Sequence, residues 1–265
     1  INRNFFLILK QILWMRPLFV LLSTNTSKNC VIFVNEMKKA KKSHFLTADG
    51  SPTLYMEQFD EYYHSKHGAV QEAMHVYLGM GFDYWLSLNP EATHCHIFEM
   101  GFGTGLNAFL TAKAASETGI HICYHTIEAY PLSTIEMNEA NYVSFLEEEE
   151  SLLFNQIQHA TWEEEISITP FFKLKKMHCL LENYCPSIKT DLIYYDAFGA
   201  RAQPEIWTDN CFPILTENMN PGGVFVTYAA IGSVRRALLR LGLVTGLVPG
   251  PPGKREMIRG HKPLL

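Results

Sequence analysis

Three carboxylates stand at the ends of apolar segments that have the length of buried strands. Glu99 stands two residues before the glycine-rich stretch Gly101–Gly105, Glu128 ends IHICYHTIE, and Asp196 ends DLIYYD. In a doubly wound sheet, ligands bind at the carboxyl ends of the strands. The pattern therefore predicts that the three carboxylates face one crevice. For Asp196, a helix cap is the alternative interpretation.

The stretch EMGFGTG lies between a predicted strand and a predicted helix. Its glycines permit a tight turn and a close approach of the backbone to a ligand. The spacing Gly-x-Gly-x-Gly differs from the dinucleotide pattern Gly-x-Gly-x-x-Gly, and the Gly-Lys-Ser/Thr of a P-loop is missing. An acid beside the glycines suits a cationic amine better than a pyrophosphate. An ordinary strand–turn–helix corner would also explain the glycines alone.

The glycine turn and the strand-end acids together predict a site for S-adenosylmethionine. The turn would hold the amino acid part of this molecule, and Glu128 would accept hydrogen bonds from the two ribose hydroxyls. The residues expected to contact it are Glu99, Met100, Gly101, Phe102, Gly103, Thr104, Gly105, Glu128, Ala129 and Asp196.

Short apolar segments alternate with helix-like stretches from about residue 94 onward. This alternation predicts an α/β fold with a mostly parallel, seven-stranded sheet and helices on both faces. Residues 57–66 and 69–88 are predicted to be helical additions before the sheet. In the second of these, Val70, Met74 and Tyr77 recur at helical spacing.

The composition describes a folded protein rather than a disordered one, with 47% hydrophobic residues and a net charge of −5. This charge excludes a protein that is basic overall but leaves a local basic face open. The six cysteines form no Cys-x-x-Cys pair, so a disulfide framework is not expected. A reducing cytoplasm fits this pattern best.

Residues 1–36 differ in character from the remainder. The apolar stretch 5–22 is interrupted by Lys10, Arg16 and Pro17, so it is a poor candidate for a membrane span. We expect residues 1–36 to be an upstream extension of doubtful origin and residues 37–265 to form a single domain. A membrane-associating helix or an added packing element is the alternative for the extension.

Several segments resemble the methyltransferase domain of the MnmC-type tRNA-modifying enzymes. The resemblance extends from about Ser43 to Gly260, and its later segments are more specific than the glycine turn. The matching segments are FDEYY (59–63), GAVQE (68–72), GFGTGLN (101–107), DAF (196–198), PEIWT (204–208) and GPPGKREM (250–257).

The resemblance implies a Rossmann-like class I methyltransferase that uses S-adenosyl-L-methionine. It implies methylation of the 5-aminomethyl group of wobble (2-thio)uridine in the tRNA anticodon region, with Asp196 as the catalytic residue beside the amine. We expect a stand-alone form without a fused flavin oxidoreductase domain, in which the amine-producing enzymes act separately. The family's usual Ala-Pro after Asp-x-Phe is replaced here by Gly199-Ala200, and His178 stands where many methyltransferases have an acid near the adenine.

Contacts with tRNA are expected from four residues. Lys254 and Arg255 belong to a stretch rich in basic residues, and Arg201 could contact a phosphate. Phe198 could stack on a base. Solvated charge and core packing are the alternative interpretations.

No metal site is predicted, although His94, Cys95, His96, His121, Cys123 and His125 lie on two strands expected to be neighbours. Alternate residues on a strand face opposite sides, and no four of these side chains converge. Two other functions stay open. One is a methyltransferase or aminopropyltransferase-like enzyme acting on a small amine, and the other is an inactive module that binds S-adenosylmethionine.

Overall fold

The structure is a computed structural model that describes residues 42–47, 50, 52–56, 61–62, 68–140 and 146–264. All of these residues belong to one compact unit, residues 40–265. The predicted extension, residues 1–36, lies outside the described residues. No helix in the described ranges is long and apolar enough to cross a membrane.

A small antiparallel sheet precedes the main fold. It consists of β1 (Lys42–Leu46), β2 (Pro52–Met56) and β3 (Glu61–Tyr62). The predicted helix over 57–66 is therefore wrong at Glu61–Tyr62. The physical reason is cross-strand aromatic packing, since the ring centroid of Tyr62 lies 4.8 Å from that of Tyr55 and 5.3 Å from that of Phe45.

The predicted helix over 69–88 is present, but it changes its winding. It runs as α1 (Ala69–Ala73), a π-helical segment (Met74–Asp83) and α2 (Tyr84–Leu88), and it ends before Pro90. A π-helix adds a residue to each turn and shifts the side chains around the axis. Met74, the first residue of this segment, is exposed, contrary to the predicted spacing, while Tyr77 is buried.

The remaining elements alternate as the sequence predicts. In chain order they are β4 (His94–Met100), α3 (Leu106–Thr118), β5 (His121–Glu128), α4 (Thr134–Ala140), α5 (Glu148–His159), β6 (Glu165–Thr169), β7 (Phe172–His178), β8 (Thr190–Tyr195), α6 (Cys211–Thr216), β9 (Met219–Thr227), α7 (Gly232–Arg240), β10 (Val244–Pro249) and β11 (Glu256–His261). Two 3₁₀ turns, Leu181–Asn183 and Pro204–Trp207, complete the described part of the chain.

The main sheet has the strand order β10-β11-β9-β8-β4-β5-β7-β6. The five inner strands from β9 to β7 are parallel, and the pairs at both edges are antiparallel. The sheet thus has eight strands instead of the predicted seven, because β6 forms a hairpin with β7. A mostly parallel sheet with helices, the predicted fold class, is confirmed.

Two hydrophobic clusters cover the two faces of this sheet. Ile97 and Tyr124 belong to one cluster, whereas Phe98 and Ile127 belong to the other. This alternation is the period of two expected for strands buried on both faces. Strand β4 lies at the centre, and the chain continues to β5 and β7 on one side and to β8 and β9 on the other. Such a reversal of strand order opens a crevice at the carboxyl ends of the strands.

Candidate active site

A cavity of about 710 Å³ lies at the carboxyl ends of β4, β5 and β8. Its volume is within the range of about 300–1,000 Å³ that is usual for small-molecule sites. Backbone hydrogen bonds from Gly101 N to Ile127 O and from Asp196 N to Met100 O, both 3.0 Å, join the three strand ends. The wall also includes residues of β3, α1 and the loop between β10 and β11.

The glycine turn allows the ends of β4 and β8 to approach closely. Gly101 has φ of +92°, and a Cβ at this position would lie 2.5 Å from the backbone oxygen of Asp196. Only glycine tolerates both the conformation and the contact. Met100, Gly101, Phe102 and Gly103 line the cavity, as predicted for the turn, whereas Thr104 and Gly105 do not. Those two residues come directly before α3, and the side chain of Thr104 is buried.

Glu128 is fixed by the backbone at the end of β5. Its Oε2 accepts a hydrogen bond from Gly103 N at 3.0 Å, and its Oε1 accepts one from Tyr130 N at 2.9 Å. An ionised carboxylate has about four acceptor positions, so each oxygen keeps one for a ligand. Glu128 and the adjacent Ala129 both line the cavity. This arrangement can accept two hydroxyl hydrogen bonds, as the sequence analysis expects for a ribose.

Glu99 does not contact the cavity directly. Its side chain is fully buried, and Asn107 lies between it and the cavity wall. The Asn107 Nδ2 atom donates to Glu99 Oε1 at 3.0 Å and to Asp196 Oδ2 at 2.7 Å. Burial, with the charge of Asp196, raises the pKa of Glu99 well above its usual range. The expected contact of Glu99 with a ligand stays a prediction, and in this arrangement Asn107 connects Glu99 to the cavity.

Asp196 lines the cavity at the end of β8. Burial raises the pKa of this carboxyl group to about 6, while Tyr77 and Asn107 act in the opposite direction. A carboxyl group with a pKa near neutrality can both accept and release a proton at physiological pH. The fixed amide of Asn107, which sequence reasoning passed over inside GFGTGLN, orients this carboxylate.

An ion pair on the cavity wall joins two distant parts of the chain. Lys254 Nζ lies 2.6 Å from Glu72 Oε1 and 3.9 Å from the ring centroid of Tyr228. All three residues line the cavity. Lys254, which was expected to contribute to the tRNA-facing surface, thus lies on the cavity wall, and its contact with tRNA stays a prediction. Sequence reasoning missed Glu72 and Tyr228, although Glu72 is the last residue of the GAVQE segment.

The other residues expected to contact tRNA fall into two groups. Phe198 lines the cavity, and its carbonyl oxygen accepts a 2.7 Å hydrogen bond from Nε1 of the buried Trp207. Arg201 and Arg255 are exposed and lie outside the wall. His178 is also exposed and outside the wall, whereas Leu181 and Glu182, just after it, line the cavity.

Cys123 and His125 come together with Glu165 on the sheet, away from the cavity wall. Potential ligand atoms of these three residues all lie within 4.8 Å of one another. Lys173 Nζ lies 3.3 Å from Glu165 Oε1, and Lys175 adds positive charge beside His125. These cations oppose the binding of a metal ion at this cluster. Sequence reasoning could not find Glu165 because it missed β6.

Comparison with known proteins places this geometry in a family. Residues 150–263 match a family profile described as S-adenosyl-L-methionine-dependent methyltransferase. The bifunctional protein MnmC for tRNA 5-methylaminomethyl-2-thiouridine biosynthesis is 31% identical over 231 residues in Marinomonas sp., covering 80% of this chain. The Leptospira borgpetersenii protein of the same name is 30% identical over 221 residues and covers 78%. The chain belongs to the MnmC-type S-adenosyl-L-methionine-dependent methyltransferases.

This methyltransferase spans about a third of the length of those curated relatives, 32% in Marinomonas and 33% in Leptospira. Its fold is similar to the crystal structure of MnmC2 from Aquifex aeolicus. The TM-score is 0.67 and the sequence identity 22%, over 86% of this chain and 73% of that chain.

The cavity of the methyltransferase fits S-adenosyl-L-methionine. Within the described residues, its wall carries five carboxylates, those of Glu72, Glu128, Glu182, Asp196 and Glu205, and a single lysine, Lys254. Such a wall attracts cations, and this donor carries a sulfonium and an ammonium group. When bound, the donor supplies an electrophilic methyl group. The free acceptor positions of Glu128 suit its ribose hydroxyls, and the open backbone at Gly101 and Gly103 suits its amino acid part.

Proposed function

We propose that this methyltransferase transfers a methyl group to the aminomethyl nitrogen at C5 of the wobble uridine in tRNA, giving 5-methylaminomethyl-uridine. The observation that carries the proposal is the position of Asp196. This carboxylate is held by Asn107 on the wall of an acidic cavity, where it can bind an amine and accept a proton from it. The names of the relatives supply the nature of the substrate.

The reacting nitrogen must present a lone pair. A free alkyl amine is mostly protonated at neutral pH, since its nearest side-chain analogue, lysine, has a reference pKa of about 10.4. Asp196 would bind the ammonium form, take its proton and orient the nitrogen toward the methyl group. Alignment of nitrogen, carbon and sulfur supplies much of the acceleration in such a reaction.

The remaining roles follow from the positions of the residues. Glu128 would hold the ribose of the donor, and the turn at Gly101–Gly103 would hold its amino acid part. Phe198, on the wall, would stack on the uracil base, as aromatic side chains do with unstacked RNA bases. The exposed Arg201 and Arg255 would contact the phosphates of the anticodon loop.

Mass spectrometry of nucleosides tests this proposal. Transfer RNA from a strain that accumulates the 5-aminomethyl nucleoside is incubated with the protein and a donor carrying a deuterated methyl group. We expect the labelled 5-methylaminomethyl nucleoside with the wild-type protein and almost none with Asp196→Asn.

Two other outcomes contradict the proposal in different ways. Methylation of free polyamines or other small amines, with tRNA left unchanged, would support the small-amine enzyme. Binding of the donor by calorimetry without transfer to any amine would support the inactive binding module.

A further inference from the structure

The ion pair of Lys254 and Glu72 is built into the cavity wall. The Lys254 side chain is 35% exposed and that of Glu72 only 11%, so the pair is far less solvated than an ordinary surface pair. The face of the Tyr228 ring covers the ammonium at 3.9 Å, which stabilises a cation further.

The loop between β10 and β11 fixes the position of Lys254. The backbone N–H of Lys254 donates to Pro251 O at 2.9 Å, and Gly250 N donates to Arg255 O at 3.1 Å. A Cβ on Gly250 would lie 2.6 Å from the backbone oxygen of Lys254, so this tight turn requires glycine. The GPPGKREM segment thus presents the Lys254 amine to the cavity from a defined turn.

This charge pair is electrostatically coupled to Asp196. The negative charge of Glu72 disfavours ionisation of Asp196, and the positive charge of Lys254 favours it. Tyr228 links the two groups structurally, because its hydroxyl donates to the carbonyl oxygen of Ala197 at 2.8 Å, one residue after Asp196.

We propose that Lys254 and Glu72 are positioning residues of the acceptor-amine site, in which the Lys254 ammonium keeps the Asp196 carboxylate ionised and Glu72 holds Lys254 in place. The inference rests on the proposed function, because it gives the pair a role in preparing the amine. Lys254 acts on the amine as well. A fixed ammonium disfavours a second ammonium beside it, so it shifts the acceptor toward its neutral form.

The charge balance of the step explains why such a pair is useful. The acceptor R–CH₂–NH₃⁺ gives one proton to Asp196 and becomes a neutral amine. Its lone pair forms the new nitrogen–carbon bond, and the electron pair of the broken carbon–sulfur bond stays on sulfur. Transfer from an amine with a reference pKa of about 10.4 to a carboxylate with a pKa of about 6 is uphill. Destabilisation of the ammonium by the Lys254 charge reduces this cost, while the ionised form of Asp196 is the form that can accept the proton.

The titration of Asp196 depends on groups from every element packed against it. These are Glu72 of α1, Tyr77 of the π-helical segment, Glu99 of β4, Asn107 of α3, Tyr124 of β5 and Lys254 of the β10–β11 loop. Among the charged members of this set, Lys254 carries the positive charge. Replacing Lys254 by a neutral residue should therefore raise the pKa of Asp196.

Carbon-13 NMR of labelled aspartate carboxyl groups, assigned with Asp196→Asn, measures the titration of Asp196 in the protein alone. We expect Lys254→Met to raise its pKa and Glu72→Gln to lower it by at least as much. The double variant should return close to the wild-type value, and Lys254→Arg should leave the value unchanged. Lys113→Met, which removes a cation paired with Glu150 outside the cavity wall, is the matched control and should change nothing.

The pH dependence of kcat/KM for tRNA then tests the role in the reaction. The acidic limb should move to higher pH in Lys254→Met and to lower pH in Glu72→Gln, by the same shifts that NMR reports. Single variants that leave the Asp196 titration in place, or limbs that stay fixed while the NMR values move, would overturn the inference. Because the NMR titration needs no donor and no tRNA, a protein that shows the NMR shifts but methylates no tRNA would contradict the proposed substrate and leave the charge coupling established.

Discussion

The two ends of the cavity are built in different ways. The proposed donor end consists of the Gly101–Gly103 turn and Glu128, which are held together by hydrogen bonds from backbone N–H groups at the tips of adjacent strands. The proposed acceptor end brings together Glu72, Asp196, Tyr228 and Lys254, and the two members of its ion pair are separated by 182 positions in the sequence.

This difference concerns specificity as well as construction. Backbone N–H groups and strand ends offer the same geometry in many doubly wound proteins, so the donor end can bind one cofactor throughout a large class of enzymes. The acceptor end depends on side chains from α1, the position directly after β9 and the β10–β11 loop, whose identities are free to differ. The choice of substrate therefore has to be encoded at the acceptor end.

The largest expected effect is a loss of kcat without a loss of donor affinity when Asp196 is replaced. Asp196→Asn keeps the size of the side chain but removes the proton acceptor, so kcat should fall by about 10²- to 10⁴-fold. The dissociation constant of the donor should change by only about threefold. Single-turnover kinetics and calorimetry measure the two quantities.

Asp209→Asn is the control for this prediction, because Asp209 is exposed and pairs with Arg240 outside the wall. A loss of donor affinity as large as the loss in kcat would show that Asp196 serves the donor end instead.

A smaller effect, on donor affinity rather than on kcat, is expected when Glu128 is replaced. Glu128→Gln weakens hydrogen bonds to the ribose that a charged acceptor strengthens, at a cost of about 1.5–3 kcal/mol. The dissociation constant of the donor should rise by roughly 10- to 100-fold, while kcat at saturating donor changes little. Isothermal titration calorimetry and saturation kinetics provide the measurements.

Glu164→Gln, an exposed carboxylate outside the wall, should leave donor binding unchanged. If Glu128→Gln instead lowered kcat and left the affinity intact, the assignment of this carboxylate to the donor end would be wrong.

The contrast between the two ends also explains what could be predicted from the sequence. The glycine turn and Glu128 belong to local patterns, a strand followed by a turn, and the backbone alone determines their geometry. The position of Asp196 on the wall followed from the rule that strand ends face the crevice, whereas Phe198 was expected only as a residue that could stack on a base. Their roles in binding and catalysis stay predictions.

The features that could not be predicted lie where tertiary packing decides. Glu99 was expected beside the ligand because it precedes the glycines, but its full burial and its hydrogen bond with Asn107 depend on the packing of α3 against β4. Strand β6 was missed because EISIT is short and partly exposed, and pairing with β7 determines its conformation. Lys254 was expected to face tRNA because its segment is basic, but its ion pair with Glu72 could not be predicted, since no local pattern connects α1 to that segment.

The smallest expected effect concerns the region outside the acceptor end. Arg255 is exposed next to Lys254. If it contacts one phosphate of the anticodon loop, Arg255→Ala should weaken tRNA binding and reduce the slope of log K against log salt concentration by roughly 0.7. The methylation rate at saturating tRNA should not change, because the side chain does not line the cavity. Filter binding at several salt concentrations measures the slope.

Lys173→Ala is the matched control for Arg255→Ala. Lys173 lies near the start of β7, at the amino ends of the parallel strands and opposite the cavity. Equal slopes for wild type and Arg255→Ala, or an equal reduction in the control, would remove Arg255 from the tRNA interface and restrict substrate recognition to the acceptor end itself.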